Sequence, residues 1–220
     1  MNISIFDVVG PVMIGPSSSH TAGAARLSRV AAQLAPAGYT GVCFGLAGSF
    51  AKTGRGHGTD KALLAGAMGI REDEEALRDA YALAKARGLA YRFEDIELPD
   101  AHENAARITF AYADGTSFSI EGASIGGGRV RITRVDGMET DFGAEVPTLV
   151  ISQRDVKGMV SKVSRILAKS GINIGVMRLT RTARGEQASC IIETDANPPQ
   201  QVVQDIAALD GILTVRTIKL

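Results

Sequence analysis

The sequence predicts an α+β protein with two domains, and three observations support this class. Residues 146–219 alternate between strand-like and helix-like segments, whereas the residues before them are less regular and richer in glycine. A composition with 45% hydrophobic and 22% charged residues is typical of a globular chain. A length of 220 residues accommodates one large domain or two modest ones. We therefore expect domains over residues 1–144 and 145–220.

The second domain is predicted to have the order βαββαβ. An apolar stripe of Val160, Val163, Ile166 and Leu167 marks its first helix, and Gly171 is the expected stop. This order corresponds to a ferredoxin-like fold, in which two helices cover one face of a four-stranded antiparallel sheet. We identify no group of catalytic residues in this part of the sequence. The predicted elements are a strand over 146–152, a helix over 156–170, strands over 172–182 and 187–194, a helix over 198–209 and a strand over 211–219.

The first domain is predicted to mix helices and strands around two unusual loops. Aspartate–glycine pairs at 114–115 and 136–137 predict tight hairpin turns, and the three glycines at 126–128 predict a bulge or a bend in the sheet. The other predicted elements are a strand over 1–9, a helix ending near Leu34, a strand with Val42, Phe44 and Leu46 on one face, a short helix capped by Thr59 and Asp60, and a helix over 74–87 that stops at Gly88.

Charge, hydropathy and cysteine content narrow the class of protein. The 24 basic and 24 acidic residues cancel, so there is no long-range attraction for nucleic acid or a membrane surface, and no apolar run is long enough to cross a bilayer. Cys43 and Cys190 lie in apolar segments, so they indicate buried thiols in a reducing cytoplasm. Two cysteines are too few for an iron–sulfur cubane, and no zinc-ligand spacing occurs, so we expect no metal ligands in this chain.

The first unusual loop, Gly15 to Thr21, is a candidate anion site. It precedes a helix, whose unpaired N–H groups and dipole favour a carboxylate or phosphate, and Ser17, Ser18 and Ser19 add hydroxyl donors beside His20. The structural alternative is that one serine caps the helix while the others are solvated.

The second unusual loop, Gly54 to Lys61, surrounds His57 with three glycines. Such flexibility carries an entropic cost, which favours a site with close backbone approach, although a mobile surface loop is the alternative. The spacing matches neither a Walker loop nor a dinucleotide fingerprint. The third histidine, His102, precedes a strand, and a role in a turn fits it better than a ligand role.

Together the two loops resemble the beta chain of iron–sulfur-dependent L-serine dehydratases, and the Ser-Ile-Gly-Gly-Gly segment at 124–128 fits the same family. The terminal module is similar to an ACT domain. Residues 1–144 are also similar to the substrate-binding regulatory domain of some phosphoglycerate dehydrogenases. The family pattern at this point is His-Pro-Asn, and Glu103 replaces its proline in this sequence, so the resemblance assigns no role to His102.

The resemblance implies a subunit that converts L-serine to pyruvate and ammonia with a separate catalytic alpha chain. In that family a [4Fe–4S] cluster is held by cysteines of the alpha chain, and ACT modules commonly pair into homodimers. An imidazole is suited to removal of the α-proton. We assign that role to His57, because the glycines around it let the backbone approach a crowded site. His20 is expected to assist it. The residues expected to bind substrate are Ser17, Ser18, Ser19, Thr21, Thr59 and Asp60.

Two questions remain open at this level. The serine-rich loop serves either the active site or a separate allosteric site. The chain is either a contributor to catalysis, a purely regulatory amino-acid-binding subunit whose histidines are structural, or a metabolite sensor without an enzyme partner.

Overall fold

Residues 12–219 are described by a computed structural model, and contacts between them define two units that meet in the sequence between Gly137 and Met138. The predicted domain boundary, between residues 144 and 145, lies a few residues later. The strand predicted over residues 1–9 falls outside the described residues. Across residues 12–219, every helix is too short or too polar to span a bilayer.

The first unit contains four α-helices and five strands within the described residues. A π-helical turn, Ser18–Gly23, leads into the first helix, and short 3-10 segments at Gly54–His57 and Glu75–Asp79 lead into the last two. The elements in order are α1 (Ala24–Leu34), β1 (Gly41–Leu46), α2 (Gly48–Thr53), α3 (Thr59–Ala67), α4 (Ala80–Ala86), β2 (Ala90–Asp95), β3 (Ala105–Ala111), β4 (Ser117–Gly126) and β5 (Arg129–Val135).

The five strands of the first unit form a sheet in the order β2-β1-β3-β4-β5. The β1 and β2 strands are parallel, whereas β1–β3, β3–β4 and β4–β5 are antiparallel. The strand predicted with Val42, Phe44 and Leu46 on one face is β1, and all three of these residues are buried. The glycines at 127 and 128 have positive φ and form the β4–β5 turn, next to a register shift between Ser124 and Gly126.

Helices α1 and α3 lie side by side with their N-terminal ends together. Gly66 of α3 packs so closely that a Cβ built there would lie 2.2 Å from the carbonyl oxygen of Ala25 in α1. Both helices bury mainly alanine and leucine against each other and the sheet. Since His20 precedes α1 and His57 precedes α3, this packing brings the two unusual loops to one end of the helix pair.

The second unit has the predicted ferredoxin-like order. After β6 (Met138–Phe142) come β7 (Thr148–Arg154), α5 (Met159–Lys169), β8 (Ile174–Arg181), β9 (Gln187–Thr194), α6 (Gln200–Ala207) and β10 (Ile212–Ile218). Strands β10-β7-β9-β8 form an antiparallel four-stranded sheet. Its core joins strand residues such as Leu149 and Ile192 to helix residues such as Leu167 and Ile206. The predicted α+β class is therefore confirmed.

Two local predictions in the first unit are corrected. The second loop is helical except at Gly58, because Gly54–His57 forms a 3-10 turn and α3 begins at Thr59. Thr59 and Asp60 do not cap α3; Gly58 occupies the N-cap position with φ of 69° and no side-chain bond. The Thr59 hydroxyl instead donates to the carbonyl of His20, and Asp60 accepts from Tyr81.

Candidate functional site

The two histidines of the unusual loops lie against each other. Their ring centroids are 4.9 Å apart with an angle of 41° between the planes. His20 is half-buried and His57 is exposed, so the pair opens to solvent on the His57 side. The arrangement places two imidazoles, the side chains best suited to proton transfer near neutral pH, in one site.

His20 is held by the start of the π-helical turn. Ser17 is the N-cap of this turn, and its hydroxyl accepts a hydrogen bond from the His20 backbone N–H at 3.0 Å. The Phe50 ring packs edge-on against the imidazole with centroids 5.3 Å apart. The turn therefore fixes the His20 backbone, and Phe50 limits the rotation of its ring.

The hydroxyl groups of three residues surround the His20 imidazole. Nε2 lies 3.1 Å from Ser49 Oγ and 3.2 Å from Thr53 Oγ1, and Nδ1 lies 3.4 Å from Ser19 Oγ. Burial, and after it the charge of His57, lowers the pKa of His20, while a contact with Ser49 acts in the opposite direction. His20 is therefore neutral at neutral pH, where it can relay a proton or orient a neighbour.

His57 has the geometry of a proton acceptor. Its Nδ1 lies 3.0 Å from the carbonyl oxygen of Thr53, and because a carbonyl only accepts, Nδ1 carries the proton in the neutral ring. The lone pair is then on Nε2, and within residues 12–219 no side chain or backbone group bonds to that atom. An exposed imidazole with a fixed tautomer and a free Nε2 can take a proton from a bound molecule.

Thr21 and Thr59 each contact the histidine of the other loop. The Thr21 hydroxyl donates to the His57 carbonyl oxygen at 2.9 Å, and the Thr59 hydroxyl donates to the His20 carbonyl oxygen at 2.9 Å. Both threonines are buried, with 2% and 0% of their surface exposed. The hydroxyls of these two residues are thus engaged with the protein itself.

Asp60 faces away from the histidine pair. Its Oδ2 accepts from the Tyr81 hydroxyl at 2.5 Å, and burial, followed by the bond to Asp60, raises the pKa of Tyr81. The two residues line a cavity of about 360 Å³ at the carboxyl ends of β1 and β2, together with Arg55, Phe93 and other residues. Consecutive residues Thr59 and Asp60 therefore serve opposite sides of the α3 N-terminus.

The six residues expected to bind substrate divide into two groups. Ser17, Thr21, Thr59 and Asp60 each make the protein contact described above. Ser19 is half-buried between Ser17 and His20, and Ser18 is half-buried with its hydroxyl unbonded to any group in residues 12–219. Ser18 and Ser19 are thus the hydroxyls best placed for a ligand, and substrate binding by the set stays a prediction.

Sequence reasoning missed Ser49 and Thr53. They lie four residues apart on one face of α2, which points both hydroxyls at His20 Nε2. The i, i+4 spacing of Ser49 and Thr53 is visible in the sequence. That spacing becomes informative only once residues 48–53 are known to be helical.

The turn that contains His102 lies at the start of α2. The His102 Nδ1 accepts from the Asn104 backbone N–H at 3.1 Å, and the exposed ring serves the turn before β3. The Glu103 carbonyl oxygen accepts from the Ser49 backbone N–H at 2.6 Å. The segment with the unexpected Glu103 therefore supports α2 through its backbone, which does not depend on the side chain at that position.

Ser124 packs against the π-helical turn that carries His20. A Cβ built on Gly23 would lie 1.9 Å from Ser124 Oγ, and Ser124 is fully buried with no hydrogen-bond partner for its hydroxyl in the described part of the chain. Only glycine at position 23 allows the turn to approach β4 this closely.

We expect Gly23→Ala to destabilise the chain by about 2 kcal/mol, because the added methyl overlaps a buried side chain. Urea unfolding of the full chain measures this loss. The double variant Gly23→Ala/Ser124→Gly should be more stable than Gly23→Ala, since Ser124 supplies the two closest atoms. A double variant as unstable as the single one would show that the contact with Ser124 is not the cause.

An iron–sulfur cluster does not fit the residues of this chain. Cys43 is half-buried in the first unit and Cys190 is buried in the core of the second, and both thiols are free. Burial raises the pKa of both thiols, which disfavours the thiolate that binds iron. Across residues 12–219, no group of three or more histidine, cysteine or acidic side chains is arranged to hold a metal ion.

Comparisons with known proteins identify both halves of the chain. Residues 4–88 match the family described as serine dehydratase beta chain, and residues 147–211 match the ACT domain. The probable L-serine dehydratase beta chain of Bacillus subtilis is 37% identical over 98% of this chain and 97% of its own length. The L-serine dehydratase beta chain of Peptoniphilus asaccharolyticus is 35% identical, with 98% of each chain covered. A D-3-phosphoglycerate dehydrogenase of Bacillus subtilis is 26% identical over 73% of this chain and 30% of its own length.

Proposed function

Because the chain belongs to the family of L-serine dehydratase beta chains, we propose that it forms a lyase with a separate alpha chain and converts L-serine to pyruvate and ammonia. The observation that carries the proposal is the His20–His57 pair, with its exposed, unbonded Nε2 on His57. The two family motifs that supply these histidines thus converge on one solvent-accessible site.

In this proposal His57 removes the α-proton of L-serine. The Thr53 carbonyl holds the proton on Nδ1, which leaves Nε2 as the base, and the exposed position allows a substrate bound at an alpha chain to reach it. His20 stays neutral beside it, because burial and the His57 charge lower its pKa, and it orients the substrate or relays the proton. Ser18 and Ser19 at the same turn are the hydroxyl donors for the substrate carboxylate.

The cofactor of the proposed enzyme lies on the alpha chain. Family resemblance implies a [4Fe–4S] cluster, and this chain has neither the number nor the arrangement of thiols to hold one. A cytoplasmic location and homodimeric contacts through the second unit belong to the same proposal. The edge position of β8 and the 46% exposure of Leu179 on it support such contacts.

Reconstitution tests the assignment. The isolated chain, incubated anaerobically with iron and sulfide, should acquire no stoichiometric cluster and release no pyruvate from L-serine. Its complex with a cysteine-bearing alpha chain should acquire the cluster and release pyruvate from L-serine. Cys43→Ala and Cys190→Ala should leave the iron content of the complex unchanged, since neither thiol is a ligand.

Two results would contradict the proposal. A fully occupied cluster in the isolated chain would place the cofactor here. An alpha chain that dehydrates L-serine at the full rate without this chain would instead support the purely regulatory, amino-acid-binding role.

A further inference from the structure

The two loops of the site are joined by a reciprocal pair of hydrogen bonds. Thr21, adjacent to His20, donates to the carbonyl of His57, which is 36 residues away, and Thr59, which follows His57 closely, donates to the carbonyl of His20, which is 39 residues away. Each bond thus starts beside one histidine and ends on the backbone of the other. Both distances are 2.9 Å, which is ordinary for a hydroxyl donor.

Burial makes these two bonds difficult to replace. Thr21 is 2% exposed and Thr59 is 0% exposed, so water cannot take the place of a missing hydroxyl without opening the loops. Losing a buried hydrogen bond of this kind costs more than losing an ordinary exposed one. The two bonds therefore hold the backbones of His20 and His57 next to each other.

A glycine in each loop packs on that loop's threonine. A Cβ built on Gly15 would lie 2.5 Å from Cγ2 of Thr21, and one built on Gly54 would lie 3.1 Å from Cβ of Thr59. The space around both threonines is thus restricted by their own loops, which limits their rotamers and directs each hydroxyl across the gap. Gly54, from the glycine-rich motif, therefore supports a fixed arrangement more than a flexible one.

We propose that Thr21 and Thr59 are positioning residues that set the separation and mutual orientation of the His20 and His57 imidazoles. This role is distinct from the substrate binding expected from the sequence, because the hydroxyls are buried and point at the protein backbone. The consequence for turnover rests on the proposed function of the histidines, whereas the effect on their spacing does not.

The test compares valine with serine at each position. Thr21→Val and Thr59→Val keep the branched shape and remove the hydroxyl, whereas Thr21→Ser and Thr59→Ser keep the hydroxyl and lose a methyl group. The first readout is the titration of the two imidazoles by NMR in the full-length chain. His20 is surrounded by the hydroxyls of Ser19, Ser49 and Thr53, by the Phe50 ring and by the His57 imidazole. Among these neighbours, the His57 imidazole is the titratable group.

Loss of either crossing bond should raise the pKa of His20 toward its ordinary value, since burial and the nearby His57 charge both lower it in the intact pair. The serine variants should titrate like the unaltered chain. The second readout is kcat of the assembled complex, which we expect to fall about 10–100-fold in the valine variants, with a smaller change in KM, and to recover in the serine variants.

The two readouts separate the possible failures. Valine variants with an unaltered His20 titration overturn the positioning role. A shifted titration with unchanged kcat supports the positioning role and refutes the catalytic role of the pair. If the double valine variant does not fold, each single variant still retains one crossing bond and gives the same test, with hydrogen exchange of residues 15–21 and 54–59 as the structural measure.

Discussion

Replacing His57 by alanine should lower kcat of the assembled, cluster-loaded complex by about 10²–10⁴-fold, with a much smaller change in L-serine binding. The physical reason is the loss of the only unbonded Nε2 in the histidine pair. His20 cannot take over, because the ring nitrogens of His20 lie against Ser19, Ser49 and Thr53. The decisive measurement is exchange of the L-serine α-hydrogen in deuterated water, which reports proton removal separately from later steps.

Two controls accompany this measurement. Lys85→Ala alters an exposed side chain of α4 in the same unit and should leave exchange and turnover unchanged. Added imidazole should partly restore activity to His57→Ala, since the vacated position is exposed and a free base can enter it. Near-normal exchange of the L-serine α-hydrogen by His57→Ala would contradict the assignment of His57 as the base and would place the base on the alpha chain.

Replacing Gly66 by alanine should destabilise the full chain by about 3 kcal/mol. Alanine raises intrinsic helix stability by about 1 kcal/mol relative to glycine, so a surface position would gain stability. Here the new methyl would lie 2.2 Å from the Ala25 carbonyl oxygen and 2.9 Å from the Arg29 backbone nitrogen. No rotamer change relieves a clash with backbone, so α1 and α3 must separate.

Thermal unfolding checks this prediction, and a loss of that size corresponds to a fall in Tm of roughly 6–12 °C. Gly41→Ala is the matched control, because a Cβ at Gly41 would make ordinary contacts at 3.6 Å with Ala90. It should leave Tm unchanged or slightly higher. Equal Tm values for the two variants would mean that α1 and α3 do not pack as closely as described.

The sequence by itself determined most of the second unit and the outline of the first. The helical stripe through Val163 and Leu167 is a local signal, because the helix buries one face with its own period. The turn residues at 114–115 and 136–137 likewise act locally, since φ is positive at Gly115, Asp136 and Gly137. The two histidine motifs were equally visible along the chain.

Only the tertiary structure decided what those motifs do together. The close approach of α1 and α3 at Gly66 brings His20 to His57, and no local pattern encodes a contact between residues so far apart in the sequence. The same packing points Thr59 at the His20 carbonyl and Asp60 at Tyr81, although the two residues are neighbours in sequence. Side-chain partners depend on which helices meet and at what distance, and that depends on the whole core rather than on the spacing of residues within a motif.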